Sequence, residues 1–377
     1  MRLRIATFNV ENLAARNSYG PSERPETAPG LSLFDFPEAG TRETVEASVA
    51  VSIEDDKREL TALALAETRA DILALQEVDN VGVLQALFAN YVHRVSDIRY
   101  GHFKLVHGND PRGIDVAFAA RKSLLAETDV TVRSHHEATF GDLDCLSDEL
   151  IEGGIKPGDL VFNRDCLEVS LDLGETELTL YLCHMKAMAV ANPGRRNLSP
   201  LIRHAEAKAI RRIVEKRFGD GWRDANWIVT GDLNDFRERI RPGAEAVANI
   251  PSTIDPLLDD FAVNPVDALP PQERWSYFHR AKLPESDEWL AEHVQLDYLL
   301  LSPALAAANP SPAIEIIRRG LPYRVPLDPA APDRSIGYLA TRADRYPRIG
   351  WDRPNASDHC PVVIEIEIPV SRAVHPS

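Results

Sequence analysis

The chain has 377 residues, with 58 acidic against 42 basic side chains, a formal net charge of -16 and 44% hydrophobic residues. That balance describes a globular chain with a sizeable core and argues against one that coats nucleic acid through bulk electrostatics. No apolar run approaches the ~20 residues of a membrane span. Met1-Arg-Leu-Arg-Ile5 leads straight into an apolar strand, and Cys145, Cys166, Cys183 and Cys360 lack zinc or CxxC spacing, so a cytoplasmic protein with reduced, buried thiols is expected.

Taken in order, Ile5-Ala-Thr-Phe-Asn-Val-Glu-Asn12 reads as a strand ending in Asn9, Glu11 and Asn12. Residues 16–52, rich in Pro, Gly, Ser, Thr and Glu, read as a loop rimming the candidate site, with Phe34 and Phe36 as its anchor. Asp56 to Ala70 places Leu60, Leu63, Ala64 and Glu67 at helical spacing and feeds a strand, Asp71 to Glu77, that ends in Gln76-Glu77. A short helix over 81–91 follows, then a hairpin of strands 103–110 and 114–121 that turns at Pro111-Arg-Gly113 and ends in Arg121. Asp115, an acid near the start of a strand, either pairs with an arginine such as Arg112 or Arg164 or serves the chemistry.

Residues 141–158 read as an acidic surface insertion, and strands 166–173 and 178–184 as a hairpin whose second arm ends in His184. Pro200 to Phe218 is the strongest helix, with Ile202, Ala205, Ala209, Ile213 and Val214 on one face and Arg203, Lys208, Arg211 and Arg212 on a face read as solvated. Lys186, Arg195 and Arg196, in the approach to that helix, are candidates for substrate phosphate. Trp227 to Phe236 is an apolar run that breaks at Gly231 and presents Asp232 and Asn234, which alternation points the same way, although such a sequence is also ordinary turn chemistry. Trp275 to His279 alternates like a strand whose aromatics default to core, and Val294 to Leu301 carries Asp297 inside an apolar strand. Residues 321–354 form a proline-rich third loop before Ser357-Asp358-His359 and the last strand. Apolar strands that end in polar residues thus recur from one end of the chain to the other, and separate domains would part residues that one chemistry needs together. A single domain over 1–377, with insertions near 16–52, 141–158 and 321–354, follows.

Asn9, Gln76-Glu77, His184, Gly231-Asp232-Leu233-Asn234, Asp297 and Ser357-Asp358-His359, in this order from Arg4 to about Ile368, resemble the motifs of the endonuclease/exonuclease/phosphatase superfamily of DNase I-like phosphohydrolases. The resemblance implies an α/β (α+β) fold, a four-layer sandwich of two mixed β-sheets packed face to face with helices outside. It also implies divalent-metal-dependent hydrolysis of phosphodiesters by in-line attack of an activated water, with nucleic acid as the expected substrate and a small phosphorylated molecule or lipid headgroup as the alternative. The metal would be Mg²⁺ or Mn²⁺, held through hard oxygen donors: Glu77 first, with Asn9 or Glu11 and Asp358. Glu11 stands where relatives often have Asp or Asn. Asp297 and His359 would act as a pair, Asp232 would orient or deprotonate the water, and Asn234 would donate to a phosphate oxygen. His184 resembles the second histidine of the DNase I-like and sphingomyelinase-like branches, and Arg121 resembles a basic residue ending a comparable strand, which with Lys186, Arg195 and Arg196 would contact phosphate. No cysteine nucleophile, Walker loop or GxGxxG competes with this reading, and no obligate protein partner is evident.

Overall fold

Strand alternation sorts this chain into layers. In the computed structural model, which describes residues 1–14, 39–126, 129–188, 197–240, 247–282, 289–322, 345–350 and 353–370, the elements in chain order are as follows. They are β1 (Arg2–Leu13), α1 (Ala39–Thr68), β2 (Ile72–Val78), α2 (Val81–Leu87), α3 (His93–Val95), β3 (Tyr100–Leu105), β4 (Asp115–Arg121), β5 (Val130–Ser134), α4 (Asp148–Glu152) and β6 (Cys166–Asp172). Then come β7 (Glu177–His184), α5 (Ser199–Phe218), β8 (Trp227–Asp232), β9 (Arg239–Ile240), α6 (Asp255–Leu258), β10 (Tyr277–Lys282), β11 (Trp289–Val294), β12 (Asp297–Leu301), α7 (Pro303–Ala308), β13 (Ala313–Ile316) and β14 (Val362–Glu367).

One mixed sheet has the order β13-β14-β1-β2-β4-β3 and a second the order β12-β8-β7-β6-β5, with a small β10-β11-β9 sheet beside them. Each large sheet is built around one parallel pair, β1 with β2 and β7 with β8, and its other neighbours are antiparallel. Leu3, Ile5, Ile72, Ala74, Val116 and Phe118 pack between the sheets against Leu167, Val169, Leu178, Leu180, Leu182, Ile228 and Leu299. The alternate residues Ala6, Phe8, Leu73, Leu75 and Ala117 face outward onto Leu60 and Leu65 of α1 and Leu84 and Leu87 of α2. Cys166, Tyr181, Cys183, Trp227 and Val229 face Ala205, Ala209 and Ile213 of α5. The result is the expected helix, sheet, sheet, helix sandwich. No helix among the described residues is long and apolar enough to cross a membrane.

Local readings needed two corrections. Helix α1 begins at Ala39, so the expected loop over 16–52 is helix in its last third. Residues 41–68 contain no Pro or Gly, and Ala and Glu repeat through them, which suits a helix better than a loop. Phe34 and Phe36 lie outside the described residues. The 141–158 segment is a packed cover, with α4 inside it and Leu143, Cys145 and Leu150 buried in the α5-side core. Of the 321–354 segment, Tyr346 and Ile349 pack into the α1-side core. All four cysteines are free and buried.

Gly231 ends the apolar part of β8 with φ +134°, and a Cβ built there would lie 1.9 Å from the Cys183 carbonyl oxygen of the neighbouring strand. Gly231→Ala is therefore expected to cost at least about 3 kcal/mol, from strained backbone together with a steric clash. Urea unfolding of the variant checks this, and a loss below about 1 kcal/mol would show that β7 and β8 separate freely.

Candidate active site

The row of side chains that each central strand sends between the sheets starts apolar and finishes polar at one end of the sandwich. On β1 it runs Leu3, Ile5, Thr7, Asn9; on β2 Ile72, Ala74, Gln76; on β7 Leu178, Leu180, Leu182, His184; on β8 Ile228, Thr230, Asp232. β12 runs the other way, so its first residue, Asp297, pairs with Asp232, which pairs in turn with His184.

These residues converge on one oxygen, Oδ2 of Asp232. Asn9 Nδ2 donates to it at 3.1 Å, and the Nε2 atoms of His184 and His359 stand 3.5 Å and 3.7 Å away. Asp232 Oδ1 accepts the Asn234 backbone N–H at 2.9 Å. Burial pushes the Asp232 carboxyl up to about 7, and Asp297 adds to the rise, while His359, the Asn234 N–H and Asn9 oppose it.

The two histidines are driven apart. Burial carries His184 well below its ordinary value, helped by the positive fields of Arg164, His359 and Arg112. Its Nδ1 is buried without a hydrogen bond among the described residues, so the neutral ring's proton belongs on Nε2, facing Asp232. For His359 burial also disfavours charge, yet Asp297, Asp232 and Asp358 overcome it and hold the ring well above its ordinary value. Asp297 Oδ2 meets His359 Nδ1 at 2.9 Å and also accepts Ser276 Oγ at 2.6 Å. Tyr277 lies against the imidazole, with ring centroids 4.6 Å apart.

A second group of carboxylates faces the same mouth. Glu77 Oε2 accepts the Asn12 backbone N–H at 2.9 Å, and Oε1 lies 3.4 Å from Asn9 Nδ2 and 4.0 Å from His184 Nε2. Asp358 keeps solvent contact, but the protein massed around the mouth raises its pKa to about 6, first by desolvation and then through repulsion by Glu11 and Glu77, against the pull of His359 and Lys57. Among the described residues no three His, Cys, Asp or Glu side chains form a ready cage for a cation. Mg²⁺, however, commonly takes one or two protein carboxylates and keeps its waters. Glu77 and Asp358, mutually repelling carboxylates at an open mouth, fit that mode. Glu11 is differently placed: its Oε2 is engaged by Lys57 Nζ at 3.2 Å, Asn355 Nδ2 at 3.3 Å and the Asp358 N–H at 3.2 Å, and Asn9 Oδ1 accepts the Glu11 N–H at 3.0 Å. Glu11, Asn12, Glu77 and Asn234 all have left-handed backbone, with φ of 50°, 55°, 65° and 52°.

Other expected contacts fall elsewhere. Arg121 sits at the far end of β2, paired with Asp71 at 3.1 Å, because β4 runs antiparallel to β2. Asp115 takes neither arginine; it holds His107 Nδ1 at 2.8 Å and the Gly108 N–H at 2.9 Å, while Asp110 holds Arg112 at 3.0 Å and Arg164 at 2.9 Å. Lys186 is near the mouth, its backbone N–H on Glu206 at 2.7 Å and its Nζ 3.5 Å from Asn163. Arg195 and Arg196 lie outside the described residues. Asn234 Nδ2 donates to the Met185 carbonyl at 3.1 Å, which leaves that amide one further N–H. Arg203, expected on a solvated face, is buried and donates to the Lys186 carbonyl at 3.1 Å and to Asp235 at 3.4 Å. Unanticipated residues complete the setting. Lys57 lies on the same stripe of α1 as Leu60, Thr61 and Ala64, and a cation on a buried stripe was a legible signal. Ser276 Oγ accepts the Leu296 and Asp297 N–H groups, both at 3.1 Å, and Ser357 Oγ donates to the Asn9 carbonyl at 2.7 Å, contacts that no local pattern announces.

A profile described as the Endonuclease/Exonuclease/phosphatase family matches residues 6–359. No curated protein matches the chain in sequence. Among solved structures, truncated Caenorhabditis elegans TDP2 is similar at 14% identity and a TM-score of 0.48, covering 97% of both chains. A protein of the same family from Leptotrichia buccalis is similar at 13% identity and a TM-score of 0.48, covering 97% of this chain and 100% of that one. The AP endonuclease of Leishmania major is similar at 18% identity and a TM-score of 0.47, covering 98% of this chain and 88% of that one.

Asp110 offers a test of the ionic frame. Its carboxyl is pulled below its ordinary value: burial opposes the charge, but hydrogen bonds from Arg112 and the field of Arg164 prevail. Asp110→Asn should cost about 3 kcal/mol at pH 7, since it strands the buried Arg164 guanidinium. A carboxyl with a depressed folded pKa gives stability that is present above the unfolded value near 4 and lost as pH falls through the folded one. The difference between wild type and variant should therefore be constant from about pH 8 to 5 and narrow only in stronger acid, and urea titrations at three pH values would show it. A gap that narrows already between about pH 7 and 5 would mean the pairing is wrong.

Proposed function

The chain belongs to the Endonuclease/Exonuclease/phosphatase family of phosphoester hydrolases, and from that premise we propose that it hydrolyses phosphodiester bonds in nucleic acid with the help of Mg²⁺ or Mn²⁺. One observation carries this reading: a histidine hydrogen-bonded to one buried carboxylate, His359 on Asp297 at 2.9 Å, faces a second carboxylate, Asp232, across 3.7 Å. Phosphodiester hydrolysis needs a proton acceptor for water beside a cationic donor for the phosphoryl oxygens, and the raised pKa values of Asp232 and His359, side by side, support assigning those roles to them.

In this mechanism Asp232 orients the attacking water and takes its proton. A carboxyl raised to about 7 is a far stronger base at neutral pH than an ordinary one. His359 directs Nε2 at the phosphate and stabilises the charge that builds on its oxygens, while Asp297 fixes the ring's tautomer and Ser276 fixes Asp297. His184, neutral, donates a hydrogen bond without adding charge. Asn234, anchored on Met185, turns its remaining N–H to a phosphate oxygen. Glu77 and Asp358, with Asn9 or Glu11 in support, would hold the metal, which when bound supplies Lewis-acid stabilisation of phosphoryl and leaving oxygens. The substrate partner is nucleic acid, DNA or RNA, and the setting cytoplasmic. A phosphatase or phosphodiesterase acting on a small phosphorylated molecule or lipid headgroup is the competing outcome.

Plasmid nicking and hydrolysis of bis-p-nitrophenyl phosphate and p-nitrophenyl phosphate, each with Mg²⁺, Mn²⁺ or EDTA, test the proposal. Diester cleavage lost in EDTA is expected; hydrolysis of the monoester alone would establish the phosphatase instead. His359→Ala and Asp297→Ala should each lower diester kcat by about 10²–10⁴, and the double variant should add little. Losses that multiply would show that the two residues act separately.

A further inference from the structure

Outside the converged residues, the turn between β3 and β4 carries an exposed guanidinium, Arg112, and an exposed imidazole, His107, each fastened to a buried carboxylate. Arg112 is anchored on Asp110 by its backbone N–H, Nε and Nη2 at 2.9, 3.1 and 3.0 Å, yet its side chain is 58% exposed. Among the described residues its Nη1 makes no hydrogen bond. His107 repeats the arrangement: Nδ1 is on Asp115, whose side chain is 2% exposed, while the ring is 71% exposed and Nε2 makes no hydrogen bond among the described residues. Nothing in the chemistry assigned to Asp232, His359 and Glu77 uses either group.

The turn lies beside that chemistry. Asp115 pairs with Val78, the residue after Glu77, and a Cβ built on Gly113 would lie 3.7 Å from Asp79 Oδ1. Fields agree: Glu77 acts on Arg112, and Arg112 acts on His184. The anchor is tied rigidly to the site, since Asp110 also binds the buried Arg164, and Arg164 Nη1 donates at 2.7 Å to the Met185 carbonyl that receives Asn234 Nδ2. Asp110 is thus shared between two guanidiniums, one buried and one exposed. The exposed one presents its open edge to solvent with its orientation already fixed, so little side-chain entropy is left to lose on binding an anion. The carboxylates of Asp110 and Asp115 balance the guanidiniums of Arg112 and Arg164, and His107, whose Nδ1 contacts Asp115, offers an N–H from Nε2 only as the imidazolium, so recognition here comes from directed N–H groups rather than from bulk charge, in keeping with a chain whose net charge is -16.

We propose that Arg112 and His107 form a second-phosphate subsite, which binds the phosphate neighbouring the scissile one and so favours polyphosphodiester strands over isolated diesters. This rests on the phosphodiesterase reading above and specifies its substrate. The test uses an eight-residue oligothymidylate, the same strand with one internal phosphate replaced by neutral methylphosphonate at each position in turn, and bis-p-nitrophenyl phosphate, which has no second phosphate. Turnover is measured on the wild-type enzyme, Arg112→Ala and His107→Ala, and binding on the metal-free proteins by fluorescence anisotropy.

For Arg112→Ala, kcat/KM on the strand should fall about 10- to 100-fold, the worth of a charge-assisted hydrogen bond, with a several-fold smaller loss on bis-p-nitrophenyl phosphate. One methylphosphonate position should impair wild type and cost the Arg112→Ala enzyme little further. His107→Ala should show the same pattern, more weakly. Equal losses on strand and isolated diester, or methylphosphonate penalties undiminished in Arg112→Ala, would overturn the subsite while leaving the phosphodiesterase reading intact. If the wild type cleaves no diester, that reading fails, and the subsite survives only if anisotropy still shows binding that depends on both Arg112 and the neighbouring phosphate. A bisphosphorylated sugar that binds better than its monophosphate and loses that advantage in Arg112→Ala would keep the second-phosphate site but overturn its assignment to strands.

Discussion

A carboxylate with almost no access to water, Asp232, must find its stabilisation within the protein, and the site is arranged around that requirement. Coulomb attraction in a low-dielectric interior, from Asp297, Asp232 and Asp358, raises the His359 imidazole well above its ordinary value, and Asp297 stands directly behind the ring at 2.9 Å. Asp297 in turn is held by Ser276, whose Oγ also accepts the backbone N–H groups of Leu296 and Asp297. Removing any one of these members leaves a buried charge or dipole without compensation, so the set is expected to respond as one unit rather than as a sum of contacts.

The sandwich supplies this arrangement through simple geometry. Two parallel pairs, β1 with β2 and β7 with β8, end on the same side, and the hydrophobic row between the sheets is replaced by polar groups only in its last one or two positions on each strand. The interior is thus apolar enough to fold on and polar only where the strands open to solvent. Arg164, Arg203 and Glu206 then tie the segments after β7 and β8 to α5 and to the β3–β4 turn, so the loops carrying Met185 and Asn234 are braced by buried ion pairs and hydrogen bonds to backbone.

Much of this was legible because it is local. Alternation and position at a strand's end are properties of a few consecutive residues, and they drew attention to Asn9, Glu77, His184 and Asp232; the family resemblance, carried by the order of the motifs, added Asp297 and His359, and the fold brings all six to one mouth. Arg121 also ends an apolar strand, but whether a strand ends at the mouth or at the opposite rim depends on its direction in the sheet, and β4 runs against β2. The arginines offered as partners for Asp115 went to Asp110 for a similar reason: Arg164 is 54 residues from Asp110, and no short pattern reports such a pairing. The first part of α1 was hidden by composition, since Ser, Thr and Glu suggest a loop when the absence of Pro and Gly carries more weight. Lys57 was missed although its place on the buried stripe of α1 could be read.

The left-handed backbone of Glu11, Asn12, Glu77 and Asn234 has a consequence for the order of folding. Asparagine tolerates this region, but for glutamate it costs on the order of 1 kcal/mol, and along the isolated first strand only the Glu11 N–H on Asn9 Oδ1 offsets it. The compensating hydrogen bonds, from the Asn12 N–H to Glu77 and from Lys57 and Asn355 to Glu11, join segments far apart in sequence and form only after the first sheet has gathered α1 and the chain's last strand. Strand pairing and the inter-sheet core can thus reach native form while the mouth is still relaxed. On this geometry the backbone of the mouth is expected to reach its native form last, and changes at these positions should act chiefly on the unfolding rate.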